Sequence, residues 1–377
     1  MITVGVLGAG QLGRMLALAG YPLGLRFRFL DPAPGAPAGQ VAEQVVSDYA
    51  DAHSLRVFGR GLDAITYEFE NVPVAAAREL AQYAPVLPPP EALEAAQDRL
   101  NEKQLFRRLE IPTPDFAPVE TRQDLDAALG RTGLPAVLKT RRLGYDGKGQ
   151  RMLQASADAD PAWQALGGQP LILEAFVPFE RELSLLSVRG RDGATAFYPL
   201  VENRHHGGIL RLSLAPARGS GARHQSLAED YAARLMAALN YVGVLAIEFF
   251  QHGGRLLANE IAPRVHNSGH WTIEGAVTSQ FANHLRAVLG WPLGETAARG
   301  CAAMVNLIGA LPDPAQVLAI PGAHLHLYGK TARPGRKLGH VTVCADDERA
   351  LSARLEALCA RVDVPQAVWT PGAETSP

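Results

Sequence analysis

The sequence predicts an α/β domain with a parallel sheet, then an α+β domain with an antiparallel sheet, then a small β-rich C-terminal domain. Three patterns carry this. Over residues 1–90, short apolar runs alternate with helical patterns, the signature of a parallel sheet covered by helices. From about residue 171, strand-like runs follow one another closely, and two of them flank His252-Gly253-Gly254, a hairpin signal. Pro88-Pro89-Pro90 and Trp291-Pro292 punctuate the chain, which gives domains at 1–90, 91–292 and 293–370 and a frayed polar tail at 371–377.

Taken in order, residues 2–7 are an apolar run ending in glycines and read as a buried strand. Residues 11–19 read as the helix that follows and 26–30 as a second strand, closed by Asp31 and a loop rich in Pro and Gly. A later strand is expected over 64–69, its helix over 74–83, and a polar helix over 91–109. Strands are expected at 171–174, 182–188, 194–201, 209–214, 244–250 and 255–261. In the last section 302–308, 324–328 and 341–344 read as strands and 347–360 as a helix.

Composition narrows the function. With 36 Lys and Arg against 38 Asp and Glu, no overall basic field recruits nucleic acid. Cys301, Cys344 and Cys359 form no Cys-x-x-Cys pair, which argues against a disulfide framework or structural zinc and fits a reducing compartment. The chain opens without the basic and apolar regions of a signal peptide. No run of about 18 apolar residues predicts a membrane span, so a cytoplasmic location is expected.

Three constellations carry chemistry. Gly8-Ala-Gly10-Gln11-Leu-Gly13 follows a strand and opens a helix, whose free amides and dipole suit a phosphate; with Asp31 beyond the second strand, the motif alone would suit a dinucleotide. Lys139 ends the run Ala-Val-Leu-Lys and precedes Gly144-Tyr145-Asp146-Gly147-Lys148-Gly149-Gln150. That loop is cationic and glycine-rich, able to close over a polyphosphate, and lacks the ending of a Walker motif. Glu248 and Glu260 lie on the two arms of the predicted hairpin, with Glu248 opposite Asn259 or Glu260. A carboxylate on a buried strand is costly unless paired or metal-bound, and magnesium uses one or two carboxylates with phosphate oxygens and water. No Ser/His/Asp or Cys/His nucleophile signature is present.

Lys139, the 144–150 loop, Leu173-Glu174-Ala175-Phe176-Val177, Glu182 and Asn259-Glu260-Ile-Ala-Pro-Arg264 resemble the ATP-grasp superfamily in type and order. Thr66-Tyr-Glu-Phe-Glu-Asn71-Val-Pro73, Glu202-Asn203-Arg-His205, Arg264-Val-His266-Asn267-Ser268-Gly-His270-Trp271-Thr, Asn306-Leu-Ile-Gly309 and Tyr328-Gly-Lys330…Gly335-Arg336-Lys337-Leu-Gly-His340 resemble its N5-carboxyaminoimidazole ribonucleotide synthetase family, over about residues 2–365. The resemblance implies a Rossmann-like N-terminal domain and a central ATP-grasp domain. It implies an ATP site at Arg99, Lys139, Gly144, Tyr145, Asp146, Gly147, Lys148, Gly149, Gln150, Glu174, Ala175, Phe176, Val177, Glu182, His205, Asn259 and Glu260, with magnesium on Glu248 and Glu260. It places aminoimidazole ribonucleotide on Gly10, Gln11, Asp146, Lys148, Arg264, His266, Asn267, Ser268, Lys330 and Arg336, with Arg264, His266 and Asn267 catalytic. Lys148 stands where relatives often carry arginine, which keeps the charge and loses a bidentate grip. The activity implied is ATP-dependent carboxylation with bicarbonate through carboxyphosphate, in purine biosynthesis, by a homodimer.

Overall fold

The computed structural model describes residues 1–144, 147–219 and 221–369; Tyr145, Asp146 and the predicted tail lie outside the described residues. The N-terminal section is a four-stranded parallel sheet of order β3-β2-β1-β4. Its strands are β1 (Thr3–Leu7), β2 (Arg26–Asp31), β3 (Glu43–Val46) and β4 (Ala64–Tyr67), with helices α1 (Gln11–Gly20), α2 (Ala52–Gly59) and α3 (Val74–Leu80) between and after them. β1 at the centre is buried almost throughout, as an apolar run in a parallel sheet must be.

The glycine turn after β1 is filled from within. Gly8 has φ +92°, a left-handed turn that glycine alone adopts at no cost. A side chain on Gly10 would collide with the Glu68 carboxylate. That carboxylate accepts from the amide of Gly10 and, at 2.8 Å, from that of Gly13, while Asp31 accepts from Ala9 at 2.9 Å. The first turn of α1 thus receives an anion, as its dipole favours, but the anion is the protein's own. The expected free amides of Gly10 and Gly13 are therefore not free.

Two helices, α4 (Pro90–Ala96) and α5 (Arg99–Arg108), replace the single helix expected over 91–109. Asp98 breaks it: its side chain caps α5 at Leu100 and grips Arg141 with both oxygens, at 2.8 and 2.9 Å. Next comes a small antiparallel sheet of order β5-β8-β6-β7, from β5 (Phe116–Val119), β6 (Ala136–Thr140), β7 (Gln150–Leu153) and β8 (Leu171–Ala175), backed by α6 (Arg122–Thr132) and α7 (Ala159–Leu166).

The large sheet has nine strands. β9 (Arg181–Arg189), β10 (Thr195–Phe197), β11 (Val201–His206), β12 (Ile209–Ala215), β13 (Gly243–His252) and β14 (Arg255–Ala262) come from the middle of the chain, and β15 (Cys301–Ile308), β16 (Ala323–Leu327) and β17 (Lys337–Ala345) from its end. Their order is β14-β13-β9-β11-β12-β15-β17-β16, with β10 on β9. Antiparallel pairing of β12 with β15 makes the C-terminal strands an extension of the central sheet. The strand expected over 194–201 divides because Pro199 offers no ladder donor and Leu200 donates its amide to Gln225. Helices α8 (Ala222–Ala238), α9 (Thr272–Gly275), α10 (Gln280–Leu289), α11 (Pro314–Leu318), α12 (Glu348–Cys359) and α13 (Gln366–Trp369) lie among and after these strands. No described helix is long and apolar enough to cross a membrane.

Removing the internal anion tests this account of the first turn. Glu68→Ala leaves two buried amides without an acceptor and is expected to cost about 2–4 kcal/mol in urea unfolding. An unchanged midpoint would show that the turn does not need it.

Candidate active site

A cavity of about 550 Å³ lies between the small sheet, the large sheet and the N-terminal section. At one end a buried carboxylate organises two ammonium groups. Glu174, at the end of β8, places one oxygen 3.1 Å from Lys139 and 3.3 Å from Lys103. Burial works against ionising Glu174, but the two lysines prevail and hold its carboxyl at about 2. Lys103 reaches the site from α5, is 1 % exposed, and also donates to the Asn259 carbonyl at 2.7 Å.

The hinge beyond β8 runs past this end: Ala175, Phe176 and Val177 all line the cavity. Ala175 donates its amide to Asp115 and Phe176 to Pro135, which fixes the hinge's course. Phe179 and Phe250 stack at 4.9 Å and form part of the wall. Glu182 on β9 accepts from His205 on β11 at 2.6 Å. Burial alone would lower the His205 imidazolium, yet the Glu182 carboxylate pushes it up to about 9.

Over the cavity lies the glycine loop. Arg99 donates to the carbonyls of Thr140 and Gly144, and Gly147, at φ +74°, rests against the backbone of Gly207 and Gly208. Gly144, Gly147 and Gln150 line the cavity. Lys148 is exposed, and Gly149 turns against the Thr140 side chain.

At the middle of the cavity sit the hairpin carboxylates. The register sets Glu248 opposite Glu260, with a bulge directly after Glu248. The bulge settles the alternative that the sequence left open and turns both groups inward. Asn259 lines the same wall. Burial, then the Glu260 charge, pushes the Glu248 carboxyl up to about 8, and the same two causes push Glu102 of α5 to about 8. Acidic groups therefore crowd one spot, and the nearby basic groups do not offset their burial and mutual charge. Among the described residues no three His, Cys, Asp or Glu side chains form a metal-binding group.

The far end is built from the turn after β14. Arg264 is 9 % exposed and pairs with Glu70 at 2.5 Å. His266 lies 3.5 Å from Glu248, and Asn267 exchanges two amide bonds with Asn306 of β15, at 3.0 and 2.8 Å. Arg264, His266, Asn267 and Gln11 line the cavity, while Ser268 is buried behind it. Lys330 reaches the cavity only through its hydrogen bond to Gln11. Arg336 stays on the surface and donates to Thr331, whereas the next residue, Lys337, lines the wall.

The chain matches three family descriptions in succession: the ribonucleotide synthetase preATP-grasp domain over residues 1–97, the ATP-grasp domain over 104–281 and the phosphoribosylaminoimidazole carboxylase C-terminal domain over 302–354. It is 58 % identical over 352 residues to the N5-carboxyaminoimidazole ribonucleotide synthase of Pseudomonas aeruginosa, covering 93 % of this chain and 97 % of that one. The chain belongs to the N5-carboxyaminoimidazole ribonucleotide synthetase family. The crystal structure of the Thermus thermophilus synthetase superposes with a TM-score of 0.93 at 62 % identity, over 96 % of this chain and 99 % of that one. An Aspergillus clavatus synthase in complex with ADP and 5-aminoimidazole ribonucleotide gives 0.89 at 33 % identity, over 95 % and 98 %. Members of this family are ATP-dependent carbon–nitrogen ligases, and this chain is one; the preATP-grasp match over 1–97 removes the dinucleotide reading of the glycine turn.

For a synthetase of this family, the sequence marks most of the wall but misses its charge partners. Lys103 lies one helical turn beyond Arg99, a spacing that puts both on one face of α5 and could have pointed to it. Glu70 and Glu68 stand inside the 66–73 string, where nothing local shows that one meets Arg264 and the other the glycine turn.

The Glu182–His205 pair makes a pH-dependent prediction. His205 titrates near 9 in the folded chain against about 6.5 unfolded, so the pair's stabilisation is complete below about 6.5 and lost as pH rises through 9. Glu182→Gln should therefore cost about 2 kcal/mol in urea unfolding at pH 6.5 and markedly less at pH 10. A penalty that does not change with pH would place the histidine's proton elsewhere.

Proposed function

We propose that the chain carboxylates the exocyclic amine of 5-aminoimidazole ribonucleotide with bicarbonate while converting ATP to ADP and phosphate. One observation carries this reading: a single cavity joins the Lys103–Glu174–Lys139 cluster, the Glu248–Glu260 pair and the Arg264–Asn267 turn, so three reactants have one shared space. No covalent nucleophile is needed, because phosphoryl transfer relies on placement and charge neutralisation.

The lysine end receives the polyphosphate. Lys139 already shares the Glu174 oxygen with Lys103, so turning toward a phosphate leaves Glu174 still paired. Glu182, across from it, suits the ribose hydroxyls, and the 175–177 hinge the adenine edge. Glu248 and Glu260 would hold magnesium, and their mutual charge fits that role: the burial and repulsion that push Glu248 up to about 8 are relieved by a cation. When bound, magnesium neutralises the phosphate oxygens. A bicarbonate oxygen attacks the γ-phosphorus and ADP leaves; the amine then captures the carboxyl group of carboxyphosphate, directly or as carbon dioxide. The loop at Gly147, which rests on Gly207 and Gly208, would keep water from this labile species. Arg264 and Asn267, each held by a partner across a domain seam, would orient the ribonucleotide, with Lys330, bonded to Gln11 of the cavity wall, toward its phosphate end. A cytoplasmic homodimer is the working form that the family resemblance supports.

Two outcomes are expected. Glu260→Gln should keep the fold and lose activity at limiting magnesium, since an amide keeps the shape and not the charge; wild-type-like turnover there removes the metal assignment. Bicarbonate labelled with ¹⁸O should deliver label to the released phosphate in step with carboxylated ribonucleotide, and ADP formed without labelled phosphate would rule out carboxyphosphate.

A further inference from the structure

Behind the cavity wall runs a chain of buried hydrogen bonds that ends on His266. Ser213 on β12 and Asn203 on β11 face each other in register, and Ser184 lies on the adjoining strand β9. All three, and Ser268, are at most 2 % exposed. Polar groups this deep are costly unless paired. They pair in sequence: Ser213 to Asn203 Oδ1 at 2.7 Å, Asn203 Nδ2 to Ser184 at 2.9 Å, Ser184 to Ser268 at 2.8 Å, and Ser268 Oγ to His266 Nδ1 at 2.9 Å.

The direction of this chain is decided at its histidine end. The backbone amide of Ser268 also points at His266 Nδ1, at 3.3 Å. An amide can only donate, so Nδ1 carries a lone pair. The Ser268 hydroxyl, on the same nitrogen, then donates as well and must accept from Ser184. Ser184 has spent its one proton and accepts from the Asn203 amide, whose oxygen takes the proton of Ser213. Every proton runs toward His266. The ring's own proton is left on Nε2, which faces Glu248 at 3.5 Å at the cavity wall. The backbone is clamped too: fully buried Gln280 accepts from the His266 amide at 2.9 Å and donates to its carbonyl at 2.7 Å.

We propose that Ser184, Asn203 and Ser213 are positioning residues that lock His266 as the Nε2–H tautomer, so that the ring offers the reaction a hydrogen-bond donor for an oxyanion and does not act as the base that takes the amine proton. A base would need a lone pair on the nitrogen that faces the reactants, and this chain puts a proton there. The identity of the oxyanion, carboxylate or phosphate, rests on the proposed reaction; the tautomer does not.

Two-bond ¹H–¹⁵N correlation spectra of the unliganded full chain, labelled at histidine, distinguish the tautomers. The His266 signal is assigned by its loss in His266→Gln. The expected pattern is protonated Nε2 and bare Nδ1; a protonated Nδ1 or an even mixture overturns the proposal. Ser184→Ala should lower kcat about tenfold with KM for ATP unchanged, and should shift the His266 ring nitrogens. Unchanged kcat with unchanged ring signals removes the relay. If Ser184→Ala does not fold, Ser213→Ala at the far end serves instead, with a smaller change in the same direction. His266→Gln, which keeps an N–H near Nε2, should retain at least tenfold more activity than His266→Ala, and equal loss in both overturns the donor role. The spectra are read without substrates. A chain that shows the tautomer but carboxylates nothing refutes the ligase reading alone, and a working ligase with protonated Nδ1 refutes this inference alone.

Discussion

The cavity depends on one buried charge. Glu174 lies 2 % exposed at the end of β8 and cannot remain ionised there unless positive groups meet it. Lys139 comes from β6 of the same small sheet, but Lys103 comes from α5 and ties its own ammonium to carbonyls of β14 in the large sheet. One carboxylate oxygen thus joins the small sheet to the large one. Replacing one partner would strand the other charges in a medium of low polarity, a cost of about 3–5 kcal/mol. The same cluster is arranged for a polyanion, since Lys139 has an alternative use for its charge and Lys103 does not.

Opposite this cluster the protein places an excess of negative charge. Glu102, Glu248 and Glu260 meet there, and burial together with the Glu260 charge pushes two of them up to about 8 despite the basic groups nearby. Evolution would remove such crowding if it served only the fold, because apolar residues fill a core more cheaply. The positive end and the acidic middle give the cavity opposite charge at neighbouring points. The Arg264 guanidinium is satisfied by Glu70 from the N-terminal section, while His266 of the same turn lies 3.5 Å from Glu248.

Local signals and long-range partners differ in how far the sequence reveals them. The hairpin was legible because Gly253-Gly254 is a turn by chemistry, and period-two alternation then put Glu248 and Glu260 within one step of each other. The bulge that made them direct partners was not, since it depends on neighbouring strands. The helix over 91–109 read as continuous because its polarity is continuous; only the ion pair between Asp98 and Arg141, 43 residues apart, reveals the break. The glycine turn was legible as a turn and illegible as an occupied one, because its anion is Glu68, which local sequence does not place. The resemblance strings marked His266 and Asn267, yet Ser184, Ser213 and Gln280, which hold that turn, lie on strands and a helix whose patterns look like ordinary core.

Sheet continuity explains why those supports are so remote. β12 pairs with β15, so the strands under the cavity and the C-terminal strands form one rigid floor from β14 to β16. The turn carrying Arg264, His266 and Asn267 leaves the edge strand and folds back across that floor, where Ser184 and Asn306 receive it from below and Gln280 from the side. Among the described residues the small sheet has no ladder to this floor, and it meets the floor at the Glu174 cluster, the 175–177 hinge and the glycine contact at Gly147. The Arg264–Asn267 turn is thus fixed to a continuous ladder of strands, while the small sheet is held by side-chain and loop contacts, so the two walls of the cavity are joined to the fold in different ways.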